Sequence, residues 1–97
     1  MEITRKLENG KLTLGPQSRI DTITAPELAA AITLDGVTEL ILDLTAVDYI
    51  SSAGLRVILA TQQKMSAAGH KMALTGVRPI VREIFDIVGF SDALTFL

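Results

Sequence analysis

The run Leu40-Ile41-Leu42-Asp43-Leu44 constrains this chain more than any other segment. It is too short for a buried helix, and its nearly continuous apolar character predicts a strand covered on both faces, hence a central one. Helix-like patterns lie before it, from Thr24, and after it, from Ser51. Strands separated by helices pair in parallel, because the chain must cross back over the sheet between them. Lys71-Met72-Ala73-Leu74-Thr75, after the second helical pattern, predicts another such strand.

The N-terminal part follows a different logic. Asn9-Gly10 suits the positive φ angles of a type I′ turn, so strands over about residues 2–8 and 11–15 should form a hairpin. Gly15-Pro16 breaks the run, and a brief strand is expected around Ser18-Arg19-Ile20. Thr24-Ala25-Pro26-Glu27 has the pattern of a capping box with proline in the first turn. That helix would face inward with Leu28, Ala31 and Ile32 and stop near Asp35-Gly36.

A second helix opens at Ser51-Ser52, carries Leu55, Ile58, Leu59 and Met65, and ends at Gly69. The third has the cleanest period, with Val77, Ile80, Val81, Ile84, Phe85 and Val88 on one face, Pro79 in its first turn and Gly89 at its end. Leu94 to Leu97 predicts a short closing strand or turn. The order ββ(β)αβαβα makes this an α/β chain with a mixed sheet, and 97 residues leave room for one domain over 1–97.

Composition removes several kinds of chemistry. Hydrophobic residues are 48% of the chain and charged ones 21%, as in a compact fold, and a chain so short can hardly spare core for a deep cavity. The net charge is −2 with no basic run, which argues against nucleic acid. There is no cysteine, so disulfides and thiolate-bound zinc are excluded. No phosphate-binding glycine loop is present, and the lone histidine, His70, falls in a turn.

No acid, base and nucleophile converge, so the expectation is a binding module with no catalytic residues, no cofactor and no metal. The N-terminus lacks a signal-peptide pattern and no apolar run approaches the ~20 residues of a membrane span, so a cytoplasmic location without membrane insertion is expected. Asp21 and Asp48 lie in loops near predicted strand ends, where α/β sheets place functional groups. On pattern alone both read as turn residues.

Ser51 and Ser52 carry two readings. Serine is a preferred N-cap, and on physical grounds alone that reading leads. The other reading starts from the free N–H groups and positive dipole end of a helix, which attract phosphate. A phosphate added there would be tolerated by the fold, yet would obstruct a partner's interface.

The strand Leu40-Ile41-Leu42-Asp43-Leu44, followed by Val47-Asp48-Tyr49-Ile50-Ser51-Ser52-Ala53-Gly54-Leu55, resembles the signature of the STAS domain, the family of bacterial anti-sigma factor antagonists. Arg19-Ile20-Asp21 leading into Thr24-Ala25 extends the resemblance, as does Val81-Arg82-Glu83-Ile84-Phe85 with Gly89-Phe90. It implies a mixed central sheet of four to five strands with helices packed mainly on one side. It also implies a partner: an anti-sigma factor serine kinase that phosphorylates the antagonist and so releases it, with a metal-dependent serine phosphatase to reset it.

By position the phosphoacceptor falls on Ser52, with Ser51 as rival, and the family's acid after the third strand falls on Asp21. The implied partner surface is Asp21, Asp48, Ser51, Ser52, Ala53, Gly54, Leu55 and Arg56. Three positions depart from the family pattern: Ser51 stands where Asp is frequent, Ala53 where Ser or Thr is frequent, and Arg56 where Gly is frequent. Arg56, four residues beyond Ser52, could reach a phosphate there or an acidic partner. The alternative that the resemblance offers is a STAS subunit of a lipid-transport ABC complex, docking an ATPase without a phosphate.

Overall fold

The computed structural model describes all residues from Met1 to Leu97. Strands β1 (Ile3–Glu8) and β2 (Lys11–Pro16) form the expected hairpin, with φ of 50° at Asn9 and 82° at Gly10. Helix α1 (Ala25–Ala31) leads to β3 (Glu39–Asp43), α2 (Ser52–Ala67) to β4 (Lys71–Thr75), and α3 (Pro79–Ile87) to a single 3-10 turn at Ser91–Ala93. The sheet order is β1-β2-β3-β4, antiparallel at β1/β2 and parallel at β2/β3 and β3/β4. Two isolated parallel bridges extend it, Ile20 to Ile50 and Leu74 to Phe96.

Alternation along the strands decides which face is covered. Leu12, Leu14, Leu40, Leu42, Met72 and Leu74 all enter one core cluster, and alternate residues point to one side. Leu28 of α1, Leu55, Ile58 and Met65 of α2, and Val81 and Phe85 of α3 bury into that same cluster. All three helices therefore cover one face. The other face carries the row Glu8, Lys11, Glu39, Lys71, in register across four strands with alternating sign. Opposite charges at neighbouring positions favour this register over a slipped one.

Three sequence expectations need correction. β3 is central but not covered on both faces: Ile41 points to the helix-free side, and is only 7% exposed because it lies between Thr13 and Ala73 in the ladder. The Thr24–Glu27 capping box does not form; Thr24 is helical in its backbone and makes no cap bond. Glu27 instead meets the Met1 ammonium at 2.7 Å. α1 ends at Ala31, short of Asp35-Gly36, which form a separate turn.

The apolar stripe of α3 is broader than its contact: Val81 and Phe85 are buried, but Ile80 is 58% exposed and Val88 is exposed too. Val77 and Ile84 pack half-buried against the same cluster, so the stripe is covered in its middle and left open at Ile80 and Val88. Elsewhere the expected surface pair Arg82–Asp86 is present at 3.2 Å. No helix is long and apolar enough to cross a membrane.

Candidate functional site

The site is built on the Ile20–Ile50 bridge. Ile20 N donates to Tyr49 O at 2.9 Å and Ser51 N donates to Ile20 O at 2.7 Å. These bonds hold the loop after Ile20 beside the loop that opens α2. Ile20 and Ile50 are both buried, and α2 crosses directly above them. It can do so because residue 54 is glycine: a Cβ there would stand 2.6 Å from Ile20 Cγ2 and 2.8 Å from Ile50 Cγ1. Both contacts are shorter than real Cβ atoms show.

The two serines separate by backbone conformation. Ser51 is extended, with φ −87° and ψ 171°, and its hydroxyl accepts a hydrogen bond from Gly54 N at 3.3 Å. That is the N-cap role, satisfying one of the free donors of the helix. Ser52 is the first residue within α2 and is exposed. Its Oγ lies 3.5 Å from Arg56 Nη2, and its carbonyl oxygen 3.4 Å from Arg56 Nε.

Asp21 is occupied by its own loop. Its Oδ1 accepts from Ile23 N and Thr24 N, each at 2.9 Å, and from Thr24 Oγ1 at 3.2 Å. Its Oδ2 lies 3.4 Å from Arg19 Nε. The Thr24 N–H above all, with the Ile23 N–H, the Thr24 hydroxyl and Arg19, holds this carboxyl below the usual aspartate value, against a partial desolvation that raises it. Thr24 Oγ1 in turn accepts from Asp21 N at 2.9 Å and lies 2.9 Å from Arg19 O, its single proton shared between that carbonyl and Asp21 Oδ1. Asp21 thus satisfies the N–H groups of the turn that leads into α1, and its carbonyl oxygen accepts from Ala25 N at 2.8 Å.

The remaining positions divide by exposure. Asp48 and Arg56 are exposed and Ala53 is half-buried, while Gly54 and Leu55 are buried under the helix. Those last two seat α2 and present no side chain to a partner. Two further residues join the surface. Ile23, between the Asp21 and Thr24 anchors, is 77% exposed, and Tyr49 is exposed with the Arg19 guanidinium 4.7 Å from its ring centroid. An apolar residue stranded between two polar anchors is the only sequence sign of Ile23. The outcome is a shallow patch of one exposed hydroxyl, two apolar side chains and charges of both signs. No group of three or more acids or histidines that could hold a metal ion occurs in it or elsewhere in the chain.

The strand-loop-helix element and its neighbours match the model of the STAS domain family over residues 2–97. The chain belongs to the STAS domain family. It is 34% identical over 93 residues to BtrV of Bordetella bronchiseptica, named as an anti-sigma factor antagonist, covering 93% of this chain and 80% of that one.

Among solved structures, a Thermotoga maritima protein described as an anti-sigma factor antagonist superposes with a TM-score of 0.90 at 18% identity, covering 97% of this chain and 84% of that one. The antagonist SpoIIAA in its unphosphorylated form gives 0.83 at 16% identity, covering 99% and 88%. SpoIIAA in its phosphorylated form, named as a Bacillus cell fate determinant, gives 0.76 at 16% identity, covering 99% and 91%. At these identities the solved structures speak for the fold: a four-stranded mixed sheet with three helices.

Proposed function

We propose that this STAS domain is an anti-sigma factor antagonist whose switch is the hydroxyl of Ser52. It acts as a non-enzymatic cytoplasmic regulator. The patch of Asp21, Ile23, Asp48, Tyr49, Ser52 and Arg56 binds an anti-sigma serine kinase, and phosphorylation of Ser52 ends that binding. The observation that carries the reading is the division of labour at the start of α2. Ser51 spends its hydroxyl on Gly54 N, which leaves Ser52 as the exposed hydroxyl of the pair.

In the transfer, Ser52 Oγ forms a bond to the γ-phosphorus of ATP held by the kinase. The bond from that phosphorus to the bridging oxygen breaks, ADP leaves, and the hydroxyl proton passes to a base of the kinase. The phosphatase reverses the state with water, releasing inorganic phosphate and restoring the hydroxyl. The modification adds about −1.5 to −2 charge at neutral pH.

Two energies of unequal size make this a switch. At the first position of a 16-residue helix the charge lies at the positive dipole end, worth roughly 0.3–1 kcal/mol in favour of the modified fold. In a closed interface the same charge loses its water at a cost of several kcal/mol. Each ~1.4 kcal/mol is tenfold in affinity, so the fold survives and the complex separates.

The test is the intact mass after incubation with ATP and the candidate kinase, followed by mapping of the modified serine. One phosphate on Ser52 is expected and none on Ser51. Ser52→Asp should lose kinase binding, while Ser52→Ala should bind and resist release by ATP. Copurification with an ATPase, without any mass shift under ATP, would instead point to the ABC-complex role.

A further inference from the structure

Arg56 stands between two features of the molecule. Its guanidinium reaches Ser52, with Nη2 3.5 Å from Oγ and Nε 3.4 Å from the carbonyl oxygen. The same side chain lines a groove of about 280 Å³ between α1 and α2, whose apolar wall includes Ile32, Leu34, Val57 and Ala60. Arg19 and Arg82 are each paired with an aspartate, whereas none of the four ion pairs of the chain uses Arg56. Its charge is uncommitted.

We propose that Arg56 is the intramolecular receptor of a phosphate on Ser52, so that modification fixes in place a guanidinium that already lies beside residue 52. The inference rests on the reading of Ser52 as the acceptor and says what the rest of the chain does once the phosphate is there. Residues four apart share a helix face, and side chains lean toward the N-terminus, so residue 56 extends back over residue 52. A phosphoryl group on Oγ carries its oxygens farther from the backbone, toward donors already at 3.5 Å.

The planar fork of a guanidinium binds two phosphate oxygens at once, which a lysine ammonium cannot do with the same geometry. The other charges around this helix start do not compete for the phosphate. Asp21 and Asp48 are acidic, and the other cation of the patch, Arg19, is paired with Asp21 at 3.4 Å and lies over the Tyr49 ring. In the modified form the charge of Arg56 is neutralised by the phosphate, and any partner group that used that charge loses it in the same event.

The experiment needs no kinase. Phosphoserine is installed at residue 52 during translation, and the phosphorus NMR signal is titrated with pH in the parent chain and in Arg56→Ala and Arg56→Lys. Exposed ion pairs of about 0.2–1 kcal/mol predict a second phosphate pKa about 0.5 unit lower in the parent than in Arg56→Ala, with Arg56→Lys between them. The Arg56 Nε–H signal should move on phosphorylation and follow the same titration. Arg56 is exposed, so both variants should melt close to the parent.

Superimposable titrations of the three proteins, with an unmoved Nε–H signal, would overturn the proposal. A kinase assay that fails to modify Ser52 would count against the proposed function alone. The titration of the installed phosphate does not depend on it.

Discussion

Gly54 lies so close to Ile20 that a Cβ on residue 54 would meet Ile20 Cγ2 at 2.6 Å. Alanine for glycine within a helix ordinarily stabilises by up to ~1 kcal/mol. Here the sign should reverse. Ile20 and Ile50 are buried and β-branched, so neither can withdraw without disturbing the bridge that carries the site. Gly54→Ala is expected to cost about 1–3 kcal/mol, the range for overpacking a close-packed core. Urea denaturation measures it, and a midpoint at or above that of the parent would show that α2 can ride away from the bridge.

The two serines should part in the same assay. Ser51→Ala removes the bond from Gly54 N and should lower stability by about 1 kcal/mol, as loss of an N-cap does. Ser52→Ala removes an exposed hydroxyl and should stay within about 0.5 kcal/mol of the parent. Equal losses in the two variants would contradict the cap assignment.

Much of this was legible because it is local. Asn9-Gly10 dictates its own turn, and an apolar run such as Leu40–Leu44 between helical patterns dictates a central parallel strand. Where a residue's role depends on what folds beside it, the sequence pattern misled. Thr24 and Glu27 have the spacing of a cap, but the Thr24 hydroxyl is engaged by Asp21 N and Arg19 O in the preceding turn, and Glu27 meets the Met1 ammonium. The α3 stripe marks what could be buried, whereas the core buries Val81 and Phe85 fully, Val77 and Ile84 in part, and leaves Ile80 and Val88 outside. At the site, Ser51-Ser52 was readable as a helix start. Which hydroxyl is the cap was not, since that is settled by the extended backbone at Ser51.

The carboxyl of Asp21 should make stability depend on acid pH. Its pKa in the fold is lowered from the ordinary 3.8, chiefly by the Thr24 N–H. A group whose folded pKa is depressed contributes stability that is present above its unfolded pKa and lost as pH falls through the folded one. Asp21→Asn cannot ionise and so lacks that contribution. The parent should exceed Asp21→Asn at neutral pH, and the gap should narrow as pH falls from 3.8 into the lowered range. Unfolding curves at a series of pH values test this, and a gap that stays constant down to acid would remove the carboxylate from the account.

Ile23 offers the sharpest separation of binding from folding. At 77% exposure it contributes little to the core, and Ile23→Glu should leave stability within about 0.5 kcal/mol of the parent. On the proposed surface it is an apolar anchor between the Asp21 loop and Tyr49, and few such residues carry most of the energy of an interface. The same substitution should therefore weaken kinase binding at least tenfold, about 1.4 kcal/mol. Ile87, on α3, is 76% exposed and provides the control, since it has the same side chain and the same accessibility in another element. Ile87→Glu should bind as the parent does in calorimetry with the purified kinase. If the two substitutions weaken binding alike, added negative charge is the cause and Ile23 is no anchor; if neither does, the partner surface lies elsewhere on the domain.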